Sequence, residues 1–431
     1  MAATDTQDIH KATVRQISLR LIPLFMLMYL IAYIDRQNVS FAKLQMTSAL
    51  GLSEAAYGLG ASLFFIGYFL FEAPSNFVLS KVGPKIWFAR IMATWGLVTV
   101  LLGFTTSAPM FYILRFLLGA AEAGFFPGVL YVLTLWFPAA DRGRMVGWFM
   151  IASALANAVG AAIGGLLLDL DGLANLQGWQ WVFVATGIPA VLFAPVAYAF
   201  LPRSPNEARW LSDERKAWLA KTLADEHDAT GAIDHANPFK VMADPRVILI
   251  CLMYIGLPLA AYGLSYWLPT IVKSFGVSNT VNGFINIIPW LFVAFALWWN
   301  PRHSAKTGEK TWHMVVPCFV GAICLIASVL VPGAATKFAF LCVAAGCMFM
   351  VQPVFWTLPG SFLKGATAAT GIAVINSVGN LGGFIAQNAV PIIKDRTGSD
   401  LAPMLFLAGS LVLTGLLVFV VQRVLRPQAT A

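Results

Sequence analysis

An acid and a base stand side by side in the stretch YLIAYIDRQNVSFA, as Asp35 and Arg36, after an apolar run that begins near Ile17. Arg115 and Glu122 interrupt a second apolar run, RFLLGAAEAGFFPG, seven residues apart. Seven residues are two helical turns, roughly 10 Å of rise along one face, so the two do not touch but can share a cavity. A guanidinium is a planar fork of donors suited to two-point recognition of a carboxylate. Desolvation drives a carboxyl towards its neutral form and a nearby cation drives it towards the anion, so a buried acid can load and release a proton as its surroundings change. Anion holding and proton carrying are the chemistries on offer. The plainer reading of each group is an interhelix ion pair.

The elements that position these groups are apolar. Of the 431 residues, 59% are hydrophobic and only 11% charged, with a mean hydropathy of +0.75. Soluble domains carry about 25% charged residues. Apolar runs long enough to cross a hydrocarbon core of roughly 30 Å recur along the whole chain. They predict an all-α membrane protein of twelve spans, near 17–46, 53–80, 85–106, 109–137, 143–169, 179–201, 246–273, 280–300, 313–331, 336–358, 367–394 and 401–424. The polar stretch 202–245 divides them into a six-helix half at 17–201 and a second at 246–424, with tails at 1–16 and 425–431. Within that stretch Ser212 is an N-cap candidate for a short, solvated surface helix. The polar N-terminus and the length of the first run argue against a cleavable signal peptide.

Charge sets the orientation. Lys and Arg concentrate in cytoplasmic loops. With the N-terminus inside, only Lys43, Lys273, Lys337, Lys394 and Arg396 fall on the far side, and Arg36 and Arg115 lie within spans. Both termini are therefore expected in the cytoplasm. The formal charge of +8 is spread over these loops, so a lipid bilayer and not nucleic acid is the expected partner.

Subtraction narrows the chemistry. The five histidines (His10, His227, His235, His303, His313) sit in polar segments or at a helix end, and no lysine is mid-span, so any proton traffic falls to carboxylates. The five cysteines (Cys251, Cys318, Cys324, Cys342, Cys347) read as small core hydrophobes with no metal spacing. No metal, cofactor, nucleotide loop or catalytic triad is expected, and no loop exceeds about 45 residues to hold an enzyme domain. Softer polar candidates are Tyr33 and Tyr68 in the first half, and Asn286, Trp356, Asn376 and Asn380 in the second. A mid-span amide needs a partner, and a substrate hydroxyl serves as well as a neighbouring helix. Tyr262, Tyr266 and Trp267 read as gate or interface aromatics, and Glu72 as structural. Pro127 is expected to kink the fourth span just past Glu122.

The two halves echo one another. SKVGPK (80–85) follows the second span and AKTGEK (305–310) the eighth. The pattern N-x-x-G-x-x-x-G occurs at Asn157, Gly160 and Gly164, and again at Asn376, Gly379 and Gly383. Parallel repeats about an axis normal to the membrane are a carrier architecture, with the site near the midplane.

These features resemble the major facilitator superfamily. Its basic loop signature is kept at Lys81, Gly83 and Lys85 and at Lys306, Gly308 and Lys310, but the signature's acid is replaced by Ser80 and Ala305. A gating latch built on that acid loses its footing here. A closer resemblance, over nearly the whole chain, is to the anion:cation symporter family of organic-acid permeases. It rests on YIDRQN, FFIGYFLFEAPSN, RFLLGAAEAGFFPG, GWQWVF, SYWLPTIVKSFG and GIAVINSVGNLGGF. The resemblance implies a monomeric bacterial inner-membrane symporter that imports an organic acid with protons by alternating access. It places the substrate-anchoring arginine on Arg36, a substrate hydrogen-bonder on Tyr68, and proton coupling on Asp35 and Glu122 tuned by Arg115. The tartrate-like and phthalate-like branches are the nearest, and an anion exchanger without protons is the alternative.

Overall fold

The computed structural model describes residues 2–230, 243–359, 363 and 366–425. His235 and the stretch 231–242 of the expected linker lie outside the described residues. The described chain is helical nearly throughout, as it must be if backbone groups facing lipid are to be paired within their own segment.

The first half comprises α1 (Ala2–Ala49), α2 (Glu54–Val82), α3 (Pro84–Leu102), α4 (Ala108–Glu122), α5 (Phe125–Trp136), α6 (Ala139–Leu168) and α7 (Gly178–Phe200). The linker carries α8 (Asp213–Thr230), which starts directly after Ser212. The second half comprises α9 (Pro245–Lys273), α10 (Asn279–Ile285), α11 (Ile287–Thr307), α12 (Trp312–Leu330), α13 (Ala334–Phe355), α14 (Ala366–Thr397) and α15 (Leu401–Leu425). Helices α4 and α5 form the fourth span, and α10 and α11 the eighth. Among the described residues, eleven segments are long and apolar enough to cross a membrane. The 32-residue α14 packs against α2, α9 and α15 and completes twelve.

Three boundaries depart from expectation. The first helix does not begin at 17 but runs back through the polar tail to Ala2. The eighth span is interrupted at Asn286 and extends past 300 to Thr307. The fourth span breaks at Ala123 and Gly124, not at Pro127. Ala123 is extended (φ −54°, ψ 135°) and Gly124 takes a left-handed φ of 85°, a conformation open to glycine at no steric cost. Pro127 then sits in the first turn of α5, where its missing N–H costs nothing.

Packing repeats between the halves. The pairs α1–α6, α2–α4 and α3–α7 in the first half correspond to α9–α14, α11–α13 and α12–α15 in the second. The seams between halves are α1–α9, α2–α14, and α6 against α10 and α11. Glycines set several distances. A Cβ on Gly119 would fall 2.0 Å from the Phe64 carbonyl oxygen of α2, and one on Gly165 2.5 Å from the Asn279 carbonyl oxygen across the seam.

Candidate functional site

Between the halves lies a cavity whose lining includes Tyr29, Tyr33, Arg36, Gln37 and Tyr68 from the first half. The second half contributes Tyr254, Tyr262, Gln352, Trp356, Asn376 and Asn380. With its mouth it encloses about 720 Å³. Among the described lining residues Arg36 alone is charged, and its side chain is 12% exposed to this space.

The guanidinium is held from three directions. Its Nη2 is ion-paired to Glu122 Oε1 across the α1–α4 contact. Its Nη1 donates to the Tyr262 hydroxyl of α9 at 3.2 Å. The rings of Tyr33, Phe64 and Tyr68 have centroids 5.3, 5.2 and 5.4 Å from its Cζ, within cation–π range. Glu122 Oε2 and Arg36 Nε have no hydrogen-bond partner among the described residues. An acid therefore sits on the far side of the one cation, among the described residues, that an anion in the cavity could reach.

Asp35 faces elsewhere. Its Oδ1 accepts from Asn38 Nδ2 at 3.0 Å and its Oδ2 from the Thr99 hydroxyl of α3 at 2.8 Å. Asn38 also donates to the Thr186 hydroxyl of α7 at 2.9 Å. Asp35 is fully buried in the first half and does not line the cavity. Successive helical residues point 100° apart, so neighbours in sequence meet different surroundings. Arg115, also fully buried, donates from Nη2 to the Ala61 carbonyl oxygen at 3.1 Å and lies against the Phe64 ring. It stands behind the cavity wall and makes no ion pair with Glu122.

The softer candidates divide. Tyr33, Tyr68, Trp356, Asn376 and Asn380 line the cavity, whereas Asn286 lines a smaller adjoining pocket. Asn376 also donates to Glu72 Oε1 at 2.9 Å, and the Ser377 hydroxyl bonds Glu72 Oε2. Glu72, read from sequence as structural, thus joins α2 to α14 across the seam, one residue from the cavity. Sequence reading also missed Tyr262 as the partner of Arg36. The signal was its place, three helical positions before Ser265 and four before Tyr266, on a span with polar groups at helical spacing.

The basic loops lie apart from the cavity. Gly83 (φ 85°) joins α2 to α3, and a Cβ there would meet Arg203 at 2.8 Å. The Lys81 and Lys85 ammonium groups lie over Phe77 and Tyr198. In the second loop Lys306 sits in the last turn of α11, Gly308 caps it in the left-handed region, and Lys310 is exposed.

On the side away from both termini the halves are closed. Lys43 of α1 pairs with Glu54 at 2.7 Å, and its ammonium stands 3.5 Å from the Trp267 ring centroid of α9. A Cβ on Gly58 would fall 2.2 Å from the Gln387 carbonyl oxygen. Asp169, just past α6, accepts from Asn279 Nδ2 at 2.9 Å and from the Thr280 N–H at 3.2 Å. Burial raises its carboxyl, but these hydrogen bonds, with that of the Thr280 hydroxyl, outweigh it and hold the group below the usual carboxylate range.

The similarities to known proteins agree with this architecture. Over 424 residues the chain is 44% identical to the "Quinolone resistance transporter" of Acinetobacter baumannii, covering 98% of each. It is 43% identical to a "Putative tartrate transporter" of Agrobacterium vitis, covering 97% of this chain and 93% of that one. The fold matches the inward-facing, occupied crystal structure of a bacterial homolog of the human lysosomal transporter Spinster, with a TM-score of 0.76 at 17% identity over 94% and 96% of the two chains. The family model of the Major Facilitator Superfamily matches residues 25–387. Twelve spans in two matching halves, a cavity at their seam and that match make this chain a member of the Major Facilitator Superfamily.

Proposed function

We propose that the protein is a secondary symporter of the bacterial inner membrane that imports an organic acid anion together with protons, by alternating access. The observation that carries the proposal is the Arg36–Glu122 ion pair at the wall of the central cavity. A substrate carboxylate and the Glu122 carboxylate compete for one guanidinium. Protonating Glu122 removes its claim on Arg36 and leaves the fork to the substrate, so proton and anion bind together. Asp35, buried without a cation in ion-pair contact among the described residues, is the second proton carrier. Arg115 adjusts both acids from behind the wall. With the termini in the cytoplasm, the closed side faces outward, and the carrier works as a monomer.

A relative's name and the cavity wall both bear on the cargo class. The relative named a tartrate transporter points to hydroxylated acids, and so do the amides of Gln37, Gln352, Asn376 and Asn380 in the cavity wall. A second reading, an aromatic acid of the phthalate type, is favoured by the tyrosines and Trp356 of the same wall. Competition of labelled substrate by tartrate and by phthalate, measured in proteoliposomes, separates the two. Tartrate or another hydroxylated acid is expected to compete better. Stronger competition by phthalate would assign the asparagines to helix–helix contacts and the aromatics to the cargo. Uptake that occurs only against preloaded internal anion would favour an exchanger.

A further inference from the structure

Beyond Gln37 the cavity continues into a second, smaller pocket lined by Gln37, Ser40, Asn157, Ser265, Asn286 and Trp290 among others. It draws on both halves and has no charged residue in its described lining. Three atoms on its buried lining residues lack a hydrogen-bond partner among the described residues: Asn157 Oδ1, Ser265 Oγ and Asn286 Oδ1. The two amide orientations are fixed by what their nitrogens do. Asn286 Nδ2 gives its N–H groups to the Asn282 carbonyl oxygen at 2.8 Å and to Asn282 Oδ1 at 2.6 Å. Its free oxygen can only accept. Asn157 Nδ2 donates to the Ser153 carbonyl oxygen at 2.8 Å, which turns Oδ1 away from its own helix. The Ser40 hydroxyl is already spent on the Gln37 carbonyl oxygen at 2.6 Å.

A pocket whose unpaired amide atoms are acceptors calls for donors. A carboxylate brought there would face two amide oxygens and no cation, whereas a hydroxyl would satisfy them. The residues that α1 contributes to the pocket, Gln37, Ser40 and Phe41, lie one to five residues beyond Arg36 towards the closed mouth, up to roughly 7.5 Å along the axis. We propose that the Asn157 and Asn286 amide oxygens, with the Ser265 hydroxyl beside them, form an acceptor-lined subsite that takes a distal hydroxyl of the transported acid, and so selects a hydroxylated monoacid over a diacid of equal chain length. The inference rests on Arg36 as the carboxylate anchor, and deepens that reading by assigning the other end of the cargo.

The test uses three acids on the purified full chain: gluconate, with one carboxylate and a terminal hydroxyl; glucarate, its six-carbon diacid; and glycerate, too short to reach the second pocket from Arg36. Binding is followed by thermal shift and by displacement of a labelled acid. Gluconate is expected to bind at least tenfold more tightly than glucarate, a factor in keeping with one buried hydrogen bond made or left unmade. Asn286→Leu should lose about tenfold in gluconate affinity and nothing in glycerate affinity. Ser265→Ala, a milder change, should show the same split at smaller size if the first variant fails to fold. Equal losses for gluconate and glycerate, or no loss for either, overturn the subsite and leave a water-filled pocket. Wild-type protein that binds tartrate or phthalate but none of the three acids overturns the subsite and leaves Arg36 as the anchor; wild-type protein that binds no carboxylic acid overturns the Arg36 reading, and the subsite with it.

Discussion

Glu122→Gln is expected to abolish accumulation of substrate driven by a pH gradient while leaving exchange between preloaded vesicles and medium intact. Glutamine keeps the size and much of the hydrogen bonding of a protonated glutamate. It removes the anion that competes for Arg36, the partner that Glu122 holds across the α1–α4 contact. The variant therefore binds substrate as if always protonated, and its affinity becomes insensitive to pH. The sign is definite: in the wild type, acidification favours binding by neutralising the competitor, and alkalinisation opposes it. A loaded carrier can still turn over, but without a proton to release it cannot return empty. Uptake under an imposed pH gradient and counterflow, measured on the same vesicles, read the two activities separately. Accumulation at the wild-type level by Glu122→Gln would make Glu122 a structural partner of Arg36 and nothing more.

Arg36→Ala is expected to lose substrate binding altogether. Among the described residues it removes the single charged group of the cavity wall and leaves Glu122 buried with no ion-pair partner. Breaking a buried charged pair costs roughly 2–5 kcal/mol, which is at least tens-fold in affinity. Lysine should rescue poorly, because an ammonium lacks the planar fork that keeps Tyr262 on one nitrogen and offers another to a carboxylate, whether of Glu122 or of the substrate. Equilibrium binding of a labelled acid to purified variants measures this, and wild-type affinity in Arg36→Ala would take the residue out of the site.

The spans and the repeat were legible because hydrocarbon imposes a coarse rule, about twenty apolar residues between polar breaks, that composition reports directly. The ion pairing was not legible. Arg115 and Glu122 share a face of one span, yet Glu122 meets Arg36 of another, because which side chains touch is set by how α1, α2 and α4 pack around Gly67 and Gly119. Asp35 and Arg36 illustrate the opposite case. Their 100° separation could have been read from helical geometry alone, and it sends one to Thr99 and the other to the cavity. Glu72 reads from sequence as structural, but its partners Asn376 and Ser377, 304 and 305 residues away, become visible only in the packing of α2 against α14. Proline is the familiar sequence signal for a helix break, but here the glycine three residues before Pro127, Gly124, takes the left-handed conformation that makes it.

The central claim is that anion and proton bind together because they bear on one ion pair. Proton exchange on binding tests it most directly. Purified protein in weakly buffered detergent solution is titrated with its best-binding organic acid, adjusted beforehand to the same pH. Binding is expected to take up about one proton per carrier near neutral pH, seen as an alkaline shift, and the uptake should vanish in Glu122→Gln. Saturating binding by the wild-type protein with no proton uptake across the pH range would contradict the account.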